Sequence, residues 1–221
     1  MSKRRKPKHA VIICHPSRSS FTRAVADRYC LSVRLVGHEA ITRDLYGIGF
    51  DPVLKDDERP AARPYALAPD VAHELELLSG TDVFVFVYPI WFGGPPAMLK
   101  GYVDRVLGAG FSHRAVRARM SHPLMSGKDL LSFTSSGESR EWLDEQGAFE
   151  SLRSVFDTYL CHAFSLASAH RVHFSNVVAN TSKRYVEQCL FDVEQEAQKV
   201  CARWVDPEPF TEEGPGVRSL K

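Results

Sequence analysis

Asp82-Val83-Phe84-Val85-Phe86-Val87-Tyr88, stopped by Pro89, is the clearest strand in the 221-residue chain. From Val83 onward every position is β-branched or aromatic, a composition that fits a pleated, packed surface. Upstream, Val71 to Leu78 reads as a helix. Downstream, Pro95-Pro96 opens a helix over Ala97 to Leu107, since proline is pre-set for a first helical turn. Towards the start of the chain, Ala10-Val11-Ile12-Ile13-Cys14 is short and wholly apolar, as expected of a strand covered on both faces in a parallel sheet. Phe21, Val25, Tyr29 and Val33 then recur at helical spacing, and Gly37 stops that helix. Ala40 to Leu45 is a second strand, Leu130 to Thr134 a fourth and Ala169 to Phe174 a fifth. Helices over Glu150 to Leu160, with Leu152, Val155, Phe156 and Tyr159 on one side, and over Tyr185 to Trp204 complete the series.

Strand and helix alternate five times, which predicts an α/β fold: a doubly wound, five-stranded parallel sheet with helices on both faces. In such a sheet a ligand sits beyond the carboxyl ends of the strands. One domain is expected over 9–206, between a basic arm at 1–8 and a tail at 207–221 rich in Pro and Gly. The arm holds Lys3, Arg4, Arg5, Lys6 and Lys8 with no acid, and without those five charges the net charge falls from +1 to −4. The body therefore carries no nucleic-acid footprint. The arm reads either as a loose solubilising terminus or as a grip for phosphate or membrane. Phe50 to Pro69 contains four prolines and reads as a long excursion with little regular structure. The five cysteines have no metal-ligand or CxxC spacing, which fits reduced thiols in a cytoplasmic protein. No apolar run approaches the ~20 residues of a membrane span, and Ala10 to Cys14 is too short for a signal peptide.

Three segments fall at carboxyl ends of predicted strands. His15-Pro16-Ser17-Arg18-Ser19-Ser20-Phe21-Thr22 leads into the first helix, whose free amides and positive dipole end suit a phosphate. The hydroxyls of Ser19, Ser20 and Thr22 would complete such a cradle, or would simply cap the helix. Tyr88-Pro89-Ile90-Trp91-Phe92-Gly93-Gly94-Pro95-Pro96 sets two large aromatics on a turn, either against a planar ring or as core. Thr134-Ser135-Ser136-Gly137-Glu138-Ser139 is small enough for close backbone approach to a ligand, or is an ordinary polar loop. Convergence at one sheet edge favours the ligand reading of all three. No GxGxxG follows the first strand and no GxxxxGK[ST] occurs, which disfavours a dinucleotide fingerprint or P-loop.

Tyr88-Pro89-Ile90-Trp91-Phe92-Gly93, with Pro96-Ala97-Met98-Leu99-Lys100-Gly101 and Asp104-Arg105-Val106, resembles the signature of NAD(P)H quinone reductases. This flavodoxin-like group includes DT-diaphorase, the bacterial modulators of drug activity and the ancillary subunits of potassium efflux systems. His15, Phe21 and Thr22 resemble its first flavin loop, Phe50-Asp51-Pro52-Val53-Leu54 its excursion, and Thr134 to Gly137 its Thr-Thr-Gly-Gly loop. The match covers about residues 9–175. The resemblance implies a tightly bound FAD or FMN, NAD(P)H as hydride donor, a quinone-like acceptor and a homodimer. It implies that His15, Ser19, Ser20, Phe21 and Thr22 hold the flavin phosphate. Pro89, Ile90, Trp91 and Phe92 would line the isoalloxazine, and Thr134, Ser135, Ser136 and Gly137 would meet its N1–O2 edge. Phe111 and Trp142 are expected on the substrate side, with His113 beside them or on the open surface. The chemistry would belong to the flavin, with the protein supplying orientation and electrostatics.

The chain departs from that pattern in two places. Ser135-Ser136 replaces Thr-Gly in the third loop. Eukaryotic members place a Tyr and a His after it as a proton relay, where this chain has Trp142 and, near the His, Phe149. The relay is absent or rebuilt, and no catalytic residue is assigned. Two other readings use the same fold: a flavodoxin-type electron carrier, and a regulatory subunit of a membrane transporter. Near-neutral charge and long excursions suit a substrate pocket better than a carrier. No GxSxG is present to support a hydrolase.

Overall fold

The computed structural model describes residues 5–204. Lys3, Arg4 and the 207–221 tail lie outside them. Five strands form one sheet: β1 (Lys8–Ile13), β2 (Glu39–Asp44), β3 (Val83–Pro89), β4 (Asp129–Ser135) and β5 (Ser168–Phe174). Their order is β2-β1-β3-β4-β5 and every pairing is parallel. All seven residues of β3 are buried. Its alternate residues feed two separate cores. Val83, Val85 and Val87 pack with Val25, Tyr29, Val193 and Ala197, while Phe84, Phe86 and Tyr88 pack with Leu99, Tyr102, Phe156 and Leu160.

The first core is roofed by α1 (Phe21–Leu35) and α8 (Lys183–Ala202). Each is capped by a serine: Ser20 accepts from Arg23 N and Ser182 from Tyr185 N, satisfying a donor that the helix itself leaves free. The second core lies under α2 (Pro69–Leu78), α3 (Ala97–Tyr102, continued by a π-helical segment to Leu107) and the helical run α6 (Ala148–Leu152), a π segment over Arg153–Thr158, and α7 (Tyr159–Ala163). Pro69 stands at the start of α2, where its missing N–H is no loss.

Three expectations need correction. The first strand begins two residues earlier, at Lys8, because Glu39 N donates to Pro7 O and Asp82 N to Lys8 O. The run near 150–160 buries Leu152, Phe156, Leu160 and Ala163, whereas Val155 and Tyr159 are exposed. The i→i+5 bonds of the π segment widen the turn, so residues four apart, not three, stay in line. Short helices α4 (His113–Arg117) and α5 (Arg140–Glu145) were not expected at all. Arg5 of the arm is docked: its guanidinium donates to Asp82 Oδ1 at 2.6 Å and to Gly80 O at 2.9 Å.

Residues 50–68 of the excursion have neither helix nor strand, and Pro69 already opens α2, yet the excursion is pinned. The buried Arg105 guanidinium donates to Glu58 Oε1 at 2.5 Å, to Asp70 Oδ2 at 2.8 Å and to Asp51 O. Gly101 faces Pro52 so closely that an added Cβ would overlap the Pro52 backbone. Gly101→Ala should therefore lose about 1–3 kcal/mol or more through overpacking, read as a lower urea midpoint. Arg105→Met should lose about 3–5 kcal/mol at neutral pH, because Glu58 is left as a buried, unpaired carboxylate. Hydrogen bonds from Arg105 hold the Glu58 carboxyl below its ordinary 4.5. That contribution is present above the unfolded value and disappears as the pH falls through the folded one. Acid titration of stability below pH 4.5 should be steeper in the wild type than in Arg105→Met.

Candidate active site

The three loops meet at the carboxyl edge of the sheet. One groove of about 370 Å³ is lined by His15, Ser19, Ser20, Phe21, Thr22, Pro89, Ile90, Trp91, Ser135, Ser136 and Gly137. It continues into an apolar chamber of about 400 Å³ that shares Ile90, Ser136 and Gly137 and adds Phe92, Trp142, Leu143, Phe149 and Leu152. Thr134 is fully buried below them. Phe111 is not brought to this groove. It lies beyond the far end of α3 against His122 and Phe164, with ring centroids 4.6 and 6.2 Å away. His113 is exposed on α4. The sequence reading also missed Val177, Val178 and Ala179, which close the groove from the loop after β5. The rule that placed the other three loops, at carboxyl ends of strands, would have found this one.

The first loop is built onto α1. Ser20 Oγ accepts from Arg23 N at 3.1 Å, so this hydroxyl is a helix cap. Ser17 and Ser19 share a hydroxyl bond of 3.1 Å, and His15 Nδ1 accepts from Ser17 N at 3.0 Å. The amides of Phe21 and Thr22 open the helix and have no intrahelical acceptor. No acidic side chain sits in that first turn, so the positive end of the dipole is uncompensated.

The aromatic side is a strained turn. Trp91 N donates to Gly94 O at 3.0 Å and Gly94 N to Trp91 O at 3.1 Å. The two residues between have positive φ, 50° at Phe92 and 79° at Gly93. Glycine adopts this readily; phenylalanine does so at about 1–2 kcal/mol. The turn nonetheless holds the Phe92 ring fully in the open, with Trp91 40% exposed and tilted over His15 at 5.7 Å. A large side chain kept exposed in a strained backbone is not accounted for by core packing.

The third loop is held from behind. Ile90 N donates to Ser135 O and Ser136 N to Phe174 O. His173 then bridges the two hydroxyls, Nδ1 to Thr134 Oγ1 at 2.9 Å and Nε2 to Ser136 Oγ at 3.1 Å. Burial, then the nearby Arg171 and Arg140 charges, push the His173 pKa down to about 4, so the ring is neutral and fixed. Gly137 is exposed, and a Cβ there would meet only Val178 at 3.6 Å. Its value is the open groove above it, not backbone strain.

Residues 7–200 match a protein family described as having a flavodoxin-like fold. The chain belongs to that family. Among its relatives, an uncharacterized NAD(P)H oxidoreductase of Haemophilus influenzae is 34% identical over 145 residues, covering 65% of this chain and 71% of that one. Rat NAD(P)H dehydrogenase [quinone] 1 is 31% identical over 144 residues, covering 58% of this chain and 53% of that one. This flavodoxin-like chain thus aligns with only about half of the rat enzyme. Among solved structures, the NAD(P)H:quinone oxidoreductase from Methanothermobacter marburgensis superposes with a TM-score of 0.74 at 24% identity, over 89% of this chain and 96% of that one. These findings bear out the expected fold class and family.

Two outcomes test this geometry. Phe92→Gly should relieve the left-handed strain and raise stability by about 1 kcal/mol, while weakening whatever binds against the turn. A drop in apo-protein melting temperature would show the Phe92 ring to be structural. His173→Gln should change the pH dependence of stability. The folded pKa of about 4 lies below the ordinary 6.5, so between those values only the unfolded state takes up the proton. Wild-type stability should therefore fall from pH 6.5 to about pH 4 more steeply than that of the variant.

Proposed function

We propose that this chain is a flavin-dependent oxidoreductase that takes hydride from NAD(P)H and delivers two electrons to a quinone-like acceptor. The observation that carries the reading is continuity. A helix N-terminus fit for phosphate, an aromatic wall and a small-residue loop line one groove, which opens into an apolar chamber. The volumes suit a planar cofactor and a flat acceptor, as small-molecule sites usually lie in the range of about 300–1,000 Å³. The names of the relatives in Haemophilus influenzae and rat support the same chemistry.

The residues present fit a flavin. The amides of Phe21 and Thr22, with His15 and Ser19, hold its phosphate. Pro89, Ile90, Trp91 and Phe92 would line its ring, and Ser136 with Gly137 would border it from the third loop. When bound, the flavin supplies the centre that accepts and passes on hydride. The chain's own residues orient and shield it. His173 keeps the Ser136 hydroxyl in place from behind the loop, and Leu143, Phe149, Leu152 and Trp142 keep water from the acceptor chamber. Arg140 stacks its guanidinium on Phe149 at 4.4 Å, which fixes that wall.

We further propose a homodimer. Trp91, Phe92, Trp142, Val155 and Tyr159 are large, apolar and exposed, more than a monomer usually leaves in the open. Light scattering should give twice the chain mass of 24.8 kDa; a particle of single-chain mass at high concentration would remove the dimer.

Purified protein should bind FMN or FAD and reduce quinones with ping-pong kinetics, since donor and acceptor share one face. Mass spectrometry of the released flavin identifies which. Trp91→Ala should weaken flavin affinity about tenfold, the equivalent of 1.4 kcal/mol. The fold of the single chain should stay nearly as stable, because Trp91 is exposed there and its loss leaves no cavity within the core. No tight binding of either flavin would overturn the reading.

A further inference from the structure

A second cluster of donor atoms lies at the opposite, amino-terminal side of the sheet. His9 is the second residue of β1, His38 precedes β2, and Cys201 is in the last turn of α8. Their ligand atoms, two imidazole nitrogens and one thiol sulfur, all lie within 4.8 Å of one another. His9 and Cys201 are buried, and His38 is half-buried at the solvent boundary. His9 Nε2 and His38 Nδ1 are 2.9 Å apart. The other nitrogen of His9 is held by the Tyr29 hydroxyl at 2.9 Å, and Tyr29 is fully buried. Metal-bound histidines are oriented in this way, by a fixed partner on the ring nitrogen that does not ligate.

A hydrogen bond alone accounts for the histidine pair. It does not account for a thiol brought to the same point from an element about 160 residues away, as counted from His38 in the sequence. We propose that His9, His38 and Cys201 form a three-ligand site for a thiophilic divalent ion, with zinc the best match to two imidazoles and one thiolate. A tetrahedral zinc sets its nitrogen and sulfur ligands roughly 3.3–3.7 Å apart, from bond lengths of about 2.0–2.3 Å. The histidine nitrogens at 2.9 Å lie closer than that range, so they must part by a few tenths of an ångström, with the half-buried His38 at the solvent boundary the one to move.

The proton balance closes. Tyr29 accepts from His9 Nδ1–H, which leaves the Nε2 lone pair for the metal. Without metal, His38 Nδ1–H donates to His9 Nε2; on binding, that proton leaves Nδ1 for solvent while Nε2 takes one up, so His38 stays neutral and ligates through Nδ1. Cys201 loses its thiol proton to solvent as the metal–sulfur bond forms. Water reaching past His38 takes the fourth position. An ion here ties the end of α8 to β1 and to the entry of β2. It plays no part in the flavin groove, so this inference does not rest on the proposed activity.

The test uses full-length protein stripped of metal with chelator and then titrated with Co²⁺ or Zn²⁺. Cobalt should bind one per chain and give a thiolate-to-cobalt charge-transfer band with tetrahedral d–d bands. Zinc should raise the melting temperature. Cys201→Ser should lose the charge-transfer band, and His38→Ala should lose both the band and the zinc-induced thermal shift. His38→Ala should keep its circular dichroism and flavin binding, since His38 lies at the surface and away from the groove. Tyr29→Phe should retain the site with affinity about 10–100-fold weaker. Absence of saturable one-to-one cobalt binding would overturn the proposal, as would binding that survives both His38→Ala and Cys201→Ser.

Discussion

Burial of β3 on both faces is the constraint from which the remaining architecture follows. Val83, Val85 and Val87 cannot share a layer with Phe84, Phe86 and Tyr88, so two helical layers are obligatory. Parallel neighbours on either side then force each connection to cross over a face. At the carboxyl edge the backbone is left open where strands hand over to loops. Because β1 sits between β2 and β3, the connection leaving β1 and the one leaving β3 run to opposite faces. The crevice between them is the switch point of the sheet, and His15 and Trp91 stand on its two sides, 5.7 Å apart.

Charge does in the excursion what hydrogen-bonded structure does elsewhere. The 50–69 segment has few apolar anchors beyond Phe50 and Ala62. Instead Arg105 collects Glu58, Asp70 and a backbone carbonyl, and lies over the Phe50 ring at 5.3 Å. A guanidinium can satisfy several acceptors in one plane, which an ammonium cannot. It emerges from a π-helical segment, where the widened turn gives the side chain its own position on the helix. A second buried pair, Arg171 with Asp157 at 2.6 Å, also leaves a π segment and donates to the Tyr88 hydroxyl. Each pair locks a helix to the core from within, so the walls above β3 and β4 are fixed independently of any ligand.

The central strands β1, β3 and β4 were legible because two-sided burial dictates their composition, and the partly buried β2 and β5 by their alternation with helices. The three loops that line the groove were legible because topology alone brings carboxyl ends together. What stayed hidden depends on tertiary neighbours. Phe111 follows a helix that starts in the site, but the helix carries it away to the opposite end. His173 reads as one polar residue in a half-buried strand, and only the register Thr134↔His173 reveals that it reaches the third loop. The stripe on the 148–163 run was misread by one position because π turns have no sequence signature of their own. His9, His38 and Cys201 escaped because the distance between them in the sequence follows no ligand motif.

The two edges of the sheet are built on opposite principles. At the amino-terminal edge nearly every polar group has a partner: Arg5 on Asp82, Lys8 Nζ on Leu77 O and Ser79 O, His9 between Tyr29 and His38. At the carboxyl edge the chain keeps helix-opening amides unpaired, holds Phe92 in a left-handed backbone and leaves Trp91 and Trp142 exposed. Each of these features disfavours the isolated fold. They can be retained only because the other edge, the two cores and the buried ion pairs over-determine the structure. A ligand at the carboxyl edge then binds to groups already in position, and the ordering entropy it would otherwise have to overcome has been met in folding.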